Sequence, residues 1–407
     1  MRGMDSAQIL LQQLPTTSRS LRIAIVTETY PPEVNGVAMT IGRMAAGLQL
    51  RQHRVQLVRP RQHREDSAAS RPNFEEVLKP GVAIPRYDAL KMGLPAKKAL
   101  IRLWSLKRPD IVHIVTEGPL GWSALAAALK LKIPVSSDFH TNFHAYSKHY
   151  GIGWLKRPIT AYLRKFHNQT LCTMVPTESM RDELEQLGMK NLRVVSRGVD
   201  TALFCPRHRS SRLRGSWGAG SEDLVALYVG RLAPEKNLPL VLGAFDAMHQ
   251  VNPRLRLVLV GDGPERAALQ ARNPQHVFAG MRIGQDLAAH FASGDVFLFP
   301  STTETYGNVT MEAMASGLAV VAYNYAAAAE HIHHGTSGLL AKFDDAEEFT
   351  RLAAGLAGDH GRTKRLGEAA RAVTASLDWS WIVGEFERAL LELAASENAY
   401  ESAGLSA

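Results

Sequence analysis

The stretch LRIAIVTETYPPEVNGVAMTIGRMAAGLQLRQHRVQLV, residues 21–58, decides the fold class. It opens on six unbroken apolar or strand-compatible residues, the mark of a parallel strand buried on both faces. Pro31, Pro32 and Gly36 then make a loop. Residues 39–50 carry a helical pattern, and residues 54–58 a second strand. Strand, helix, strand is a βαβ unit, and βαβ units build doubly wound parallel sheets. Working outward, further strands are expected at 82–84, 111–115, 133–137, 172–175 and 193–195. Residues 206–223, PRHRSSRLRGSWGAGSED, are rich in turn formers and read as an interdomain linker or surface loop. The pattern then restarts: strand 224–229, helix 238–249, strand 255–260, helix 264–271, a strand ending at Phe299, helix 309–316 and strand 318–322. An amphipathic helix over 381–395 precedes a polar tail. The expected architecture is α/β, with two Rossmann-like doubly wound parallel-sheet domains facing across a cleft. The expected divisions are a loose tail at 1–20, a first domain at 21–200, a second at 201–378, and a terminal helix and tail at 379–407. No short-period repeat suggests a solenoid.

The chain has 407 residues with 47 Lys+Arg and 39 Asp+Glu, a net of +8. The charge is uneven. Residues 1–198 carry 29 basic and 15 acidic side chains (29 − 15 = +14), and residues 199–407 carry 18 and 24 (18 − 24 = −6). A basic half joined to a mildly acidic one implies different partners: nucleic acid, an anionic membrane or an anionic substrate for the first. Two cysteines exclude a disulfide scaffold and a four-thiolate zinc site. They fit a reduced, cytoplasmic setting. The longest apolar stretch, residues 118–129, falls short of the ~20 residues a membrane span needs. The first 20 residues lack the apolar core and cleavage site of a signal peptide.

In open α/β sheets ligands bind beyond the carboxyl ends of the strands, so the loops there matter most. PSTTETYGNVTME, residues 300–312, places Glu304 in a post-strand loop and Glu312 in the following helix, with Gly307 permitting a tight turn and Thr305 or Asn308 available as caps. Free N–H groups at that helix start favour a phosphate. Glu312, tilting back toward the helix start, suits a diol such as ribose. Glu304, on the loop, suits hydroxyls on the other side of that site. The plainer alternative is a turn-capping Glu304 and a surface Glu312. GRLAPEKN, residues 230–237, puts Arg231 and Lys236 directly after a strand, where cations neutralise a diphosphate or are merely solvated. GDGP, residues 261–264, permits close backbone approach or simply a turn. No Walker A loop and no G-x-G-x-x-G is present. SSDFHTNFHAYSKHY, residues 136–150, places His140 just past a strand, able to offer a ring hydrogen bond or its carbonyl to a substrate. His331, His333 and His334 read as exposed loop histidines. No Asp-x-Asp pair occurs, so neither metal nor other cofactor is expected, and Arg231 and Lys236 would neutralise a diphosphate instead.

Taken in order, NG at 35–36, DFHT at 138–141, RGVD at 197–200, VGRLAPEKN at 229–237, VGDGP at 260–264, GDVFLFPSTTET at 294–305 and EAMASGLAVVA at 312–322 resemble the retaining GT-B glycosyltransferases, specifically glycosyltransferase family 4, group 1. The resemblance implies two facing Rossmann-like domains of the GT-B class and a GDP- or UDP-linked sugar as substrate. It implies that Gly36 contacts the donor diphosphate through its backbone and that Arg231 and Lys236 clamp it. Glu304 would bind the donor sugar, with Thr305, Tyr306, Gly307, Asn308 and Val309 beside it. Glu312 would hold the ribose, and Gly261, Met281 and Arg282 would border the nucleotide. His140 would lie near the anomeric carbon. The last helix would cross back to the first domain. Two departures stand out: Asn35 where the family often has a second glycine, and Tyr306 where it often has Phe or Leu.

Within the family, SKHYGIGWLKRPITAYLRKF, residues 147–166, is most similar to lipid glycosyltransferases. Lys148, Trp154, Lys156, Arg157, Arg164 and Lys165 would then seat the chain on an anionic membrane, on the inner face of the cytoplasmic membrane. An amphipathic helix packed on the core is the alternative. The expected reaction moves a hexose, mannose or glucose, to a lipid or glycolipid acceptor with retention, through an oxocarbenium-like transition state. Glu304 is expected to bind the sugar rather than attack it, and the leaving phosphate to take the acceptor proton. The rivals are a GT-B enzyme with a soluble acceptor, a nucleotide-sugar epimerase, a phosphorylase and a nucleic-acid-binding protein. No nucleic-acid-binding motif supports the last.

Overall fold

The computed structural model describes residues 19–33, 35–63, 65–84, 87–140 and 156–395. Two parallel sheets organise them. In the first, strands lie in the order Leu192–Val194, Cys172–Val175, Val135–Asp138, Ile111–Ile114, Arg22–Val26, Arg54–Pro60, Phe74–Lys79 and Ser70–Arg71. Only the last pair is antiparallel. In the second the order is Val277–Gly280, Arg256–Val260, Val225–Val229, Val296–Phe299, Ala319–Tyr323 and Leu339–Ala341, all parallel. The strand order reverses between Ile111–Ile114 and Arg22–Val26 in the first sheet and between Val225–Val229 and Val296–Phe299 in the second. These reversals are the switch points where loops part and a crevice opens.

The central strands form because burial on both faces rewards continuous apolar runs. VALYV and AVVAY are buried at every position. Along Arg22–Val26 the faces divide. Ile23 and Ile25 pack with Ile41, Met44 and Leu48 on one side, while Ala24 and Val26 pack with Val112, Ile114 and Leu120 on the other. The helix Gly36–Leu50 starts where the Asn35 side chain accepts from the Ala38 amide at 2.8 Å.

The terminal helix Trp379–Ala395 packs on the first sheet. Its Ile382, Val383, Phe386, Ala389 and Leu390 join the Ile23 and Ile25 face of the first sheet. A Cβ on Gly47 would sit 2.5 Å from the Val383 side chain, so the two helices meet only because Gly47 has none. Glu387 fastens the contact through His53 and Arg51, both at 2.7 Å. The chain passes between the two domains at two adjacent points: the Val199 amide donates to the Leu377 carbonyl at 2.9 Å, and Val199 bridges to Asp378.

Two expectations are corrected. Residues 206–223 are not a linker. The helix Ser211–Ser216 lies in them, and Trp217 is buried in the second domain's core. The buried Arg214 guanidinium donates to the carbonyls of Ser293, Gly220 and Asp223 and to Asp295. A basic, turn-rich segment is thus anchored through the two terminal nitrogens of one buried arginine. The strand expected at 82–84 does form, as Gly81–Ile84, but in a separate hairpin with Tyr87–Gly93 rather than in the sheet.

Candidate active site

Strands Val225–Val229 and Val296–Phe299 are hydrogen-bonded neighbours, so the loops that follow them meet at the switch point. The first holds Arg231 and Lys236. Its shape is set by the Tyr228 hydroxyl donating to the Arg231 carbonyl at 3.0 Å and by Asn237 in the left-handed region at φ +54°. Thr303 of the second loop donates to the Glu235 carbonyl at 3.3 Å, tying the loops together. Lys236 ion-pairs with Oε1 of Glu304, which also accepts from Ser301 Oγ at 2.6 Å. The expected diphosphate cation and the expected sugar carboxylate therefore touch. Arg231 is half-exposed and lies 3.3 Å from Glu235.

After Glu304 the chain turns at Gly307, φ +95°, a conformation only glycine adopts cheaply, and enters the helix Asn308–Ala315. The start of that helix faces the start of Gly36–Leu50 across the cleft: a Cβ on Gly36 would lie 3.6 Å from Asn308 Nδ2. Two sets of helix-terminal N–H groups converge there, an arrangement that suits an anion. The Asn308 carboxamide oxygen is buried without a partner among the described residues. One turn on, Glu312 is partly buried and its carboxyl makes no hydrogen bond or ion pair among the described residues. Burial pushes its carboxyl up to about 7. It is not the surface glutamate of the plainer reading.

On the nucleotide side, a Cβ on Gly261 would stand 1.9 Å from the Gly230 carbonyl, so this glycine serves loop-to-loop packing. Met281 is exposed at the rim. Arg282 donates to the Ala279 carbonyl at 2.7 Å and pairs with Asp286 at 3.0 Å.

From the first domain, Val135–Asp138 delivers His140 to the cleft. Its ring lies between Asp138 Oδ2, at 3.2 Å from Nε2, and Arg197 Nη2, at 2.6 Å from Nδ1. His113 Nε2 stands 3.3 Å from the same Asp138 oxygen. Burial alone would raise the Asp138 carboxyl, but His113 and His140 hold it well below the usual carboxylate range. Burial and the Arg197 cation push the His140 pKa down. The His140 carbonyl accepts from Thr305 Oγ1 at 3.0 Å. The carbonyl and Nδ1 thus have protein partners, whereas Nε2, buried 3.2 Å from Asp138, makes no hydrogen bond among the described residues.

Tyr306, also on the Glu304 loop, is buried. Its hydroxyl donates to the Arg197 carbonyl at 3.0 Å and lies 3.0 Å from His331 Nε2 and 3.3 Å from Ser196 Oγ. His331 is therefore not an exposed loop histidine; burial pushes its pKa down to about 4. His333 and His334 are exposed as expected. The sequence reading named no role for Arg197, Asp138 or His113. Asp138 and Arg197 were visible only as parts of DFHT and RGVD, and nothing in the sequence linked His331 to Tyr306.

The membrane set is divided. Arg157, Arg164 and Lys165 are exposed on the helix Lys156–His167, whose Leu163, Phe166 and His167 are buried. Lys148, Trp154 and the Lys156 side chain lie outside the described residues. Among the described residues no helix is long and apolar enough to cross a membrane, and no group of three or more His, Cys, Asp or Glu could hold a metal ion.

The family model "Glycosyl transferases group 1" matches residues 223–359, and "Glycosyltransferase Family 4" matches residues 34–203. A GDP-mannose-dependent alpha-mannosyltransferase of Corynebacterium glutamicum is 32% identical over 339 residues, covering 83% of this chain and 80% of the relative. An alpha-monoglucosyldiacylglycerol synthase of Streptococcus pneumoniae is 29% identical over 317 residues, covering 74% and 71%. Among solved structures, the sucrose-phosphate synthase of Thermosynechococcus elongatus superposes with a TM-score of 0.74 over 93% of this chain and all of its own, at 17% identity. That likeness bears on the fold, which is GT-B.

Proposed function

Because the chain belongs to glycosyltransferase family 4, group 1, and is a nucleotide-sugar-dependent hexosyltransferase, we propose that it transfers a hexose, with retention, to a membrane lipid or glycolipid. The observation that carries this reading is the convergence at one switch point of the Lys236–Glu304 pair, the Glu312 carboxyl, unpartnered among the described residues, and two facing helix starts. Each part matches one part of a nucleotide diphosphate sugar. The helix amides at Gly36 and Asn308, with Arg231 and Lys236, take the diphosphate and stabilise it as it leaves. Glu304 accepts hydrogen bonds from sugar hydroxyls. Glu312 accepts from the ribose diol. Met281 and Arg282 border the base. His140 flanks the anomeric carbon from the first domain, and domain closure excludes water that would hydrolyse the donor.

GDP-mannose, the donor of the mannosyltransferase relatives, is the first to test, with UDP-glucose second. The lipid acceptor is supported by the diacylglycerol-directed relatives and by the exposed Arg157, Arg164 and Lys165. The test supplies each donor with vesicles containing diacylglycerol and total polar lipid, followed by mass spectrometry and ¹H NMR of the extracted lipid. A new hexosyl lipid with an α-anomeric signal is the expected product. A new soluble glycoside instead would move the acceptor to a saccharide or small molecule. An epimerised sugar from donor alone would replace the reading with an epimerase.

A further inference from the structure

We propose that Arg197 is a positioning residue that holds His140 as a neutral ring with its one proton on Nε2, and that Tyr306, reaching in from the other domain, holds Arg197. This rests on the reading of His140 as a group of the cleft.

A guanidinium has five N–H donors and no acceptor. The 2.6 Å contact from Arg197 Nη2 to His140 Nδ1 therefore requires a lone pair on Nδ1. The ring proton must then sit on Nε2, which faces Asp138 Oδ2 at 3.2 Å. The charged groups around the ring are Arg197 on one side and Asp138 on the other, with Glu117 acting at longer range. Asp138 is itself approached by His113 at 3.3 Å. With Nδ1 occupied by an N–H donor, the ring has no free lone pair to accept a proton from the acceptor hydroxyl. His140 thus shapes and polarises the cleft rather than acting as the base.

Arg197 is 7% exposed and sits at one of the two passages between domains. Its carbonyl accepts from the Tyr306 hydroxyl at 3.0 Å, and Oγ of its neighbour Ser196 lies 3.3 Å from that hydroxyl. His331 Nε2, 3.0 Å away, completes the shell. Tyr306 and Thr305 belong to the loop of Glu304. The loop that meets the donor sugar therefore also grips the backbone of Arg197 and of His140. Closure of the donor loop and setting of the His140 ring become one event. A Phe at 306 would fill the same space but could not make this connection.

The experiment uses the full-length protein with ¹⁵N-labelled histidine and records two-bond ¹H–¹⁵N correlations, His140 being assigned from a His140→Asn sample. The expected spectrum shows the Nε2–H tautomer and no titration from pH 8 to 5.5. An Nδ1–H tautomer, or a ring titrating near the ordinary value of about 6.5, would overturn the proposal. Arg197→Met should let the ring titrate, with kcat falling at least about tenfold and donor KM moving less than about threefold. Arg197→Lys should restore part of kcat, since it still donates to Nδ1. Tyr306→Phe should lower kcat about tenfold and raise the share of donor lost to hydrolysis. Unchanged turnover and hydrolysis in Tyr306→Phe would sink the interdomain half, and this variant serves if Arg197→Met does not fold. The ring assignment needs no substrate. A protein that turns over no nucleotide sugar would thus overturn the functional reading while leaving this one standing.

Discussion

Glu312 is the residue whose behaviour separates binding from stability. Its folded carboxyl, raised by burial from 4.5 to about 7, favours the protonated form. A group of this kind adds stability below its unfolded value and loses it as the pH climbs through 7, by up to about 3 kcal/mol. Glu312→Gln never ionises. The variant's melting temperature should therefore gain on the native protein between pH 5 and pH 8, while its donor KM rises about tenfold for want of the ribose contact. Calorimetry at both pH values and initial rates check the pair; a variant that loses stability at pH 8 would contradict the burial account. Lys236 and Arg231 give a second residue-scale test. Lys236→Ala should lower kcat/KM for the donor by about 10²–10³, as loss of a preorganised charge at a leaving group does. Arg231→Ala should cost less, because Arg231 is half-exposed. If steady-state rates leave both unchanged, the diphosphate contact is wrong.

Among the elements, the helix Lys156–His167 carries its own prediction. One face is buried through Leu163 and Phe166, and the other presents Arg157, Arg164 and Lys165. Reversing these three charges to Glu should abolish co-sedimentation with phosphatidylglycerol vesicles, and added salt should weaken native binding. Equal sedimentation of the variant would return this helix to a purely structural role. The elements also show where sequence reading succeeds. VALYV, VFLF and AVVAY are legible because strands buried on both faces must be apolar throughout. Phe74–Lys79, FEEVLK, hides as a strand because its acids are satisfied from outside its own sequence: Glu76 by Arg59 at 2.9 Å and Glu75 by Lys107 at 2.8 Å. Arg214 disguised residues 206–223 in the same way. In the site, each loop was legible alone, since its residues follow their own strand. The contacts of Arg197 and His331 were not, because they exist only once two distant segments meet.

At the scale of the molecule, the first domain depends on residues far along the chain. Phe386 is 1% exposed and packs beside Ile23 and Ile25. Phe386→Ala should cost about 3–5 kcal/mol, measured by denaturant unfolding, and should melt the first sheet in preference to the second. Uniform loss of hydrogen-exchange protection across both sheets would argue against two separable cores. The return of the chain across the adjacent passages at Val199 and Asp378 also bears on synthesis. Domains fold as they leave the ribosome, usually the earlier one first. Here Leu21 to Val195 emerge early but wait for Ile382, Val383, Phe386 and Leu390, the last of their core to be made. The second domain, made later, has its whole apolar cluster in hand between Val199 and Ala370. The half translated first is the half completed last, and a stalled ribosome would hold it with its Ile23 face bare.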